Sequence, residues 1–370
     1  MDQLSKHITS FIRSNVILLM ATLFLAAIPS EQQSPATKHT FVVFHPSIDD
    51  GLPFEYDLTE EFNHEFHTEV SSVICFTHEC KMVPIEVYWT AIGDFVKYEL
   101  MNGYDLEKTE GAPFTAEDHV KLNKVLSNPN NKLRTVDISK IKDYNPDEVD
   151  AVSSATIVID EDQIVKGAAW TCYTLWHWVY GPARQSIRDV TGDRLSSREF
   201  IKYLNSSSVE DNIFAFEQLS RKRFFNDSIT SELIQLNQKQ SKYFTKQAVS
   251  YLELMESKLY RESLKSLYKH NDPNKRVIFI NSLNKQNASF PNAFWEDLIS
   301  KTVESNSYQE VSLYLDMLEQ KEINSEQINN SVLTLLDHQD KLIARRAQWY
   351  LEGQSLTKYQ SKQLKKQKTK

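Results

Sequence analysis

Three hydroxyls and one carboxylate are crowded into the seven residues Asp150-Ala151-Val152-Ser153-Ser154-Ala155-Thr156, between a polar loop and a strongly apolar run. A small-residue turn that leaves one hydroxyl exposed is a place where another enzyme can attach a group. Two other sets of residues could do chemistry. Cys75 and Cys80 stand five positions apart. On one extended strand that is about 16 Å at ~3.3 Å per residue, too far for a disulfide. They can pair only if Phe76-Thr77-His78-Glu79 turns the chain into a hairpin, and the apolar, alternating flanks Val70–Ile74 and Met82–Trp89 favour one. His64 and His67, in Asn63-His64-Glu65-Phe66-His67, could share a helix face toward a metal. No third ligand follows at a recognisable spacing, so no metal site is read there.

Several elements must position these groups. His39 to Phe44 reads as a strand closed by Pro46, and residues 45–68 are polar and acidic. Residues 69–101 alternate apolar and polar positions and are rich in β-branched and aromatic side chains, which predicts two or three strands. Thr115 is placed to cap a helix running through Val120, Leu122 and Val125 to Leu126, and Asn128-Pro129-Asn130-Asn131 breaks it. Leu133 to Ile138 and Ala155 to Ile159 read as short strands, the second starting within the hydroxyl-bearing stretch. Lys166 to Tyr180 is apolar on almost every face, as a buried helix would be. Trp170, Tyr173, Trp176 and Trp178 then read mainly as core, and Cys172 as a buried free thiol.

The D-A-V-S-S-A-T stretch resembles the motif of the FMN-binding domain family. That family includes the flavin-bearing subunits of the sodium-translocating NADH:quinone reductases and of the Rnf complexes. Its D-x-x-S/T-G-A-T motif presents the last threonine to a flavin transferase, which joins FMN to it through a phosphoester. The resemblance implies covalent FMN on Thr156, with Asp150, Ser153 and Ala155 as matching positions and a flavin transferase as partner. Ser154 stands where the family usually has glycine. Serine lacks glycine's free access to φ > 0, so the turn differs from the family's or carries strain. The blocks Val87–Phe95, Pro113–His119 and Val165–His177 look similar to a secreted branch of the same family. The resemblance covers roughly residues 70–180, about a third of the chain.

Composition bounds the function. A chain of 370 residues is long enough for two domains, and 41% hydrophobic with 25% charged residues marks it as globular. The net charge of −8 argues against a general nucleic-acid binder, which needs a basic face. Lys6 and Arg13 precede an apolar run from Val16 to Ile28, with Leu25-Ala26-Ala27 as a small-residue cleavage site. That pattern reads as a signal peptide, or else as a retained anchor, and either predicts an exported, periplasmic or envelope-associated protein. The run from Lys365 to Lys370 reads as a solvated basic tail, or as a contact for anionic lipid or another acidic surface.

The composition changes after Asp193. Seven of the eight glycines and nine of the eleven prolines precede that point, and no glycine occurs from there to Glu352. Apolar residues recur at helical spacing, as in Ile213, Phe216 and Leu219, or Leu252, Met255 and Leu259. Breaks at 271–273, 305–307 and 338–340 recur at close to 35 residues, the period of stacked helix pairs of the HEAT-like or TPR-like kind. The expected fold class is α+β: an FMN-binding domain with an antiparallel sheet over 37–192, after a signal peptide and linker over 1–36. An all-α helical-repeat domain follows over 193–355, with a basic tail over 356–370.

Three functions compete. The first is an exported flavoprotein that carries electrons between envelope partners. Flavin supplies the redox chemistry and the protein binds, orients and tunes it. Neither G-x-G-x-x-G, G-x-x-x-x-G-K-S/T nor G-x-S-x-G occurs, so nucleotide-loop and hydrolase readings have no support. The second is a helical-repeat scaffold whose FMN-binding-like domain no longer carries flavin, a reading that Ser154 favours. The third is a thiol–disulfide carrier using Cys75 and Cys80. Their C-x₄-C spacing differs from the C-x-x-C of redox loops, which favours a structural bridge.

Overall fold

The computed structural model describes residues 36–45, 53–75, 80–108, 111–137, 141 and 162–368. The chain divides into two compact units, Met1–Gln185 and Ser186–Lys370.

The first unit holds a five-stranded antiparallel sheet whose strands neighbour each other in chain order: β1 (Thr37–Val43), β2 (Phe54–Glu60), β3 (Phe66–Cys75), β4 (Cys80–Trp89) and β5 (Phe95–Leu100). In β4 the period of two is plain. Val83, Ile85, Val87 and Trp89 are fully buried, while Glu86 and Tyr88 lie on the other face, part-exposed. Strand β2 lies inside the stretch that reads as merely polar. Its alternation is present, with Tyr56, Leu58 and Glu60 buried, but one of the three inward positions is an acid. That acid is tolerated because His39 Nε2 and His64 Nδ1 reach its carboxylate at 3.2 and 2.8 Å.

Helix α1 (Ala116–Leu126) starts where the sequence predicts. Thr115 and Asp118 form a reciprocal capping box. The strand expected from Leu133 to Ile138 does not form; Lys132–Thr135 is a 3-10 turn instead. The Asn131 side chain accepts from the Leu133 amide at 2.9 Å, which curls the backbone. Leu133 and Val136 are the buried residues, three apart, as one tight helical turn requires. Helix α2 (Ala169–Tyr180) is the expected buried helix, with nine of its residues buried around its whole circumference. It packs on β3 and α1, and Trp89 Nε1 donates to the Val179 carbonyl at 3.0 Å. Gly181 ends it. A Cβ there would lie 2.1 Å from the His177 carbonyl oxygen, so only glycine allows this close approach.

Helix α3 (Pro182–Arg194) begins in the first unit and ends in the second. The second unit continues with α4 (Ser197–Leu204), α5 (Val209–Arg221), α6 (Asp227–Lys239), α7 (Lys242–Leu252) and α8 (Ser257–His270). Then come α9 (Pro273–Lys285), α10 (Asn292–Thr302), α11 (Tyr308–Gln320), α12 (Glu326–Thr334), α13 (Lys341–Glu352) and α14 (Lys358–Lys368). The breaks expected near 272, 306 and 339 all fall between helices. At the first, Asp272 caps α9 and Pro273 opens it. Among α4 to α14 each helix packs against the next but one, so α4, α6, α8, α10, α12 and α14 form one row and α5, α7, α9, α11 and α13 another. The two rows share one continuous apolar core from Phe200 to Leu364.

Inside that core sits a paired charge. Glu310 is fully buried, with Arg276 Nε at 2.6 Å and the Ser305 hydroxyl at 2.5 Å, and Tyr268 donates to it at 3.2 Å. The basic run that starts at Lys365 continues helix α14, where Lys365 and Lys366 are exposed. Leu364 and Gln360 are buried, and the Gln360 amide donates to the Glu326 carbonyl at 3.1 Å and to Asn330 Oδ1 at 2.8 Å. Among the described residues, no helix is long and apolar enough to cross a membrane.

Candidate functional site

Asp150, Ser153, Ser154, Ala155 and Thr156 lie outside the described residues, as does the strand expected over 155–159. The structure does describe the ends between which that segment runs. On the entering side Leu133, Val136 and Ile141 are buried, and on the returning side Ile164 and Val165. One side chain ties the two sides together. Asn131, itself buried, donates through Nδ2 to the Gln163 carbonyl at 3.0 Å, while its Oδ1 accepts from Leu133. The Gln163 side chain in turn accepts from the Lys132 amide at 3.4 Å.

Both sides rest on α2. The Trp176 indole donates to the Asn128 carbonyl at 3.0 Å. His177 Nε2 donates to the Leu133 carbonyl at 3.2 Å, and since a carbonyl only accepts, Nε2 carries the proton. On the returning side, the Val165 amide donates to Cys172 Sγ at 3.3 Å. Burial pushes the Cys172 thiol up to about 12, so it is neither a thiolate nor a nucleophile at neutral pH. Cys172 is a buried free cysteine.

The aromatic side chains of α2 sort by burial. Tyr173, Trp176 and Trp178 are buried and their faces are covered by protein. Trp178 stacks on His45 with ring centres 4.3 Å apart and meets Phe54 and Tyr56 edge-on. Trp176 packs against His177 and Tyr180. Trp170, His177 and Tyr180 are only half-buried, so they are the rings of α2 with a side toward solvent. Burial holds the His177 imidazole below its ordinary range, and the bond to Leu133 opposes this only in part. His45 is pushed down to about 3, chiefly by burial and then by the neighbouring His177. Tyr173 is raised, by burial first and then by the charge of Asp137. The described ends from which the segment departs thus offer neutral rings together with charges of both signs, Lys132, Arg134 and Asp137 on the entering side and Asp162 and Lys166 on the returning side.

Cys75 and Cys80 face each other directly across the β3–β4 hairpin, as the sequence requires for pairing. Opposite residues of an antiparallel pair have Cα atoms about 4.5–5.5 Å apart, within the range a disulfide spans. His64 and His67 do not share a helix. His64 sits in the turn after β2 with φ 64 and contacts Glu60, whereas His67 lies on β3 between Glu61 and Glu86 at 3.1 and 2.5 Å. Among the described residues, no group of three or more His, Cys, Asp or Glu is arranged to hold a metal ion.

Sequence reasoning missed Asn131, Gln163 and His45. Asn131 closes the Asn-Pro-Asn-Asn break and reads there as a turn residue, and nothing in the sequence pairs it with Gln163. Compared with known families, characterised proteins and solved structures, the chain matches none.

Proposed function

We propose that this chain is an exported flavoprotein that carries FMN as a phosphoester on Thr156 and passes electrons at the cell envelope. The observation that carries the reading is the sequence Asp150-Ala151-Val152-Ser153-Ser154-Ala155-Thr156, whose Thr156 matches the threonine that a flavin transferase modifies in the FMN-binding domain family. The described neighbourhood is compatible with a flat, partly apolar cofactor. Half-buried Trp170, His177 and Tyr180 lie on the helix that supports both ends of the segment. Aromatic faces and a neutral imidazole stack on such a ring system without adding charge to it. Bound flavin supplies one- and two-electron chemistry. The chain's own part is to present the Thr156 hydroxyl, hold its segment at both ends and shield one side of the ring. A covalent tether suits export, because a weakly held cofactor would be lost to the medium.

The test is the intact mass of the full chain recovered from its native envelope, alongside Thr156→Ala. A mass increase equal to esterified FMN in the wild type and its absence in the variant is the expected pair of results. Unmodified wild-type protein would favour a second reading, for which Ser154 in place of glycine is the observation. In that reading the two rows of helices, a repeat array of the HEAT-like or TPR-like kind, are the working part and dock an envelope partner.

A further inference from the structure

From Gly353 to Lys370 the chain holds six lysines and no aspartate or glutamate. The total charge is −8, so the preceding residues carry −14 and this stretch is electrostatically apart from them. Helix α14 puts the charge in order. Gln360 and Leu364 face inward, one turn apart, and are buried. Lys358, Lys362 and Lys365, at positions i, i+4 and i+7, fall on the opposite side and are all exposed. The stripe is about 10 Å long, at ~1.5 Å per residue. Like charges at this spacing destabilise a helix, and these three lysines make no hydrogen bond or ion pair with the described residues. Packing through Leu364 and the two bonds of Gln360 hold them in line all the same.

Tyr359 flanks the stripe and is 65% exposed. With the half-buried Leu333 and Leu336 it lines a shallow cleft between α14 and α12. Glu326 and Asp337 also line this cleft.

We propose that the outer face of α14 is a docking surface for the anionic headgroup layer of a phospholipid bilayer. The surface is all lysine. Ammonium groups on flexible stems are point charges without the rigid fork that arginine offers to a fixed carboxylate or phosphate, and they suit a mobile layer of phosphates. An exposed tyrosine beside them, apolar in its body and polar at its tip, is a side chain that settles at a membrane–water boundary. The reading is independent of whether Thr156 bears flavin.

The test is sedimentation of the full chain with vesicles of equal parts phosphatidylglycerol and phosphatidylcholine, and with phosphatidylcholine alone. Binding is expected to the first and not to the second. It should weaken steeply between about 0.1 M and about 1 M salt, where the screening length falls from ~10 to ~3 Å. The triple variant Lys358→Gln, Lys362→Gln, Lys365→Gln should lose on the order of 100-fold in affinity with an unchanged circular dichroism spectrum. The corresponding triple Lys→Arg variant should retain binding. Equal binding to neutral vesicles, undiminished binding by the glutamine variant, or binding to an oligonucleotide but not to anionic vesicles would each overturn the proposal.

Discussion

Asn131 Nδ2 donates to the Gln163 carbonyl at 3.0 Å, so one buried amide ties together the two ends of the segment that carries Asp150 and Thr156. The same side chain accepts from Leu133 and sets the turn that departs from it. Asn131→Ala leaves the buried Leu133 amide and the part-buried Gln163 carbonyl without this partner, a change expected to cost about 1–3 kcal/mol. Urea unfolding followed by circular dichroism measures this. If the first unit is no less stable in the variant, the clamp is decorative.

Flavin attachment is expected to follow the acceptor hydroxyl. Co-expressed with a flavin transferase, Thr156→Ala should lose in-gel flavin fluorescence under denaturing conditions while remaining folded. Ser154→Gly should label at least as well as wild type, because glycine enters left-handed backbone without penalty. Retained fluorescence in Thr156→Ala would shift the acceptor to Ser153 or Ser154.

The hairpin register puts Cys75 opposite Cys80, and a bridge between them is expected in protein exported to an oxidising compartment. Cys172 should stay reduced and resist alkylation until the protein unfolds, since burial holds its thiol at about 12. Non-reducing peptide mapping reads both outcomes. Finding Cys75 and Cys80 both free would remove the bridge and weaken the case for export.

His45 gives the fold an acid limit. Its imidazole falls from 6.5 in the unfolded chain to about 3 in the folded one, so the folded state resists its protonation. The stability that this represents is complete above about pH 6.5 and is lost as pH falls toward about 3, at up to roughly 1.4 kcal/mol per pH unit. His45→Phe keeps a ring on Trp178 and removes the titration. Its unfolding free energy should therefore fall less between pH 7 and pH 5 than that of the wild type. Equal slopes would place the acid sensitivity elsewhere.

In the second unit the vulnerable pair is Arg276 and Glu310. Glu310→Ala leaves the Arg276 guanidinium buried without its carboxylate, at an expected cost of about 3–5 kcal/mol. Replacing both at once, Arg276→Met with Glu310→Leu, should be much milder, because no charge is then stranded. Chemical denaturation of the three proteins decides. A double variant as unstable as Glu310→Ala would mean that the polar network stabilises the core beyond merely satisfying itself.

Local chemistry was legible wherever neighbours in the chain carry it. Thr115 and Asp118 cap each other across three residues, β4 alternates every second position, and Asp272-Pro273 ends one helix and starts the next. The unbroken apolar run of α2 could only be buried. Long-range partners supply the rest. Glu60 reads as a surface acid until His39, 21 residues away, reaches it and lets β2 turn an acidic position inward. Leu133 and Val136 fit a strand or a helical turn equally well, and Asn131, whose amide is held on the Gln163 carbonyl 32 residues away, accepts from Leu133 and settles for the turn. The basic run from Lys365 reads as solvated, and Lys365 and Lys366 are exposed; what composition does not show is the helix that carries them, folded by burial of Leu364 and the reach of Gln360 to Glu326 and Asn330. Each of these outcomes depends on a contact between residues distant in the chain, and periodicity records which face a residue takes but not what waits there.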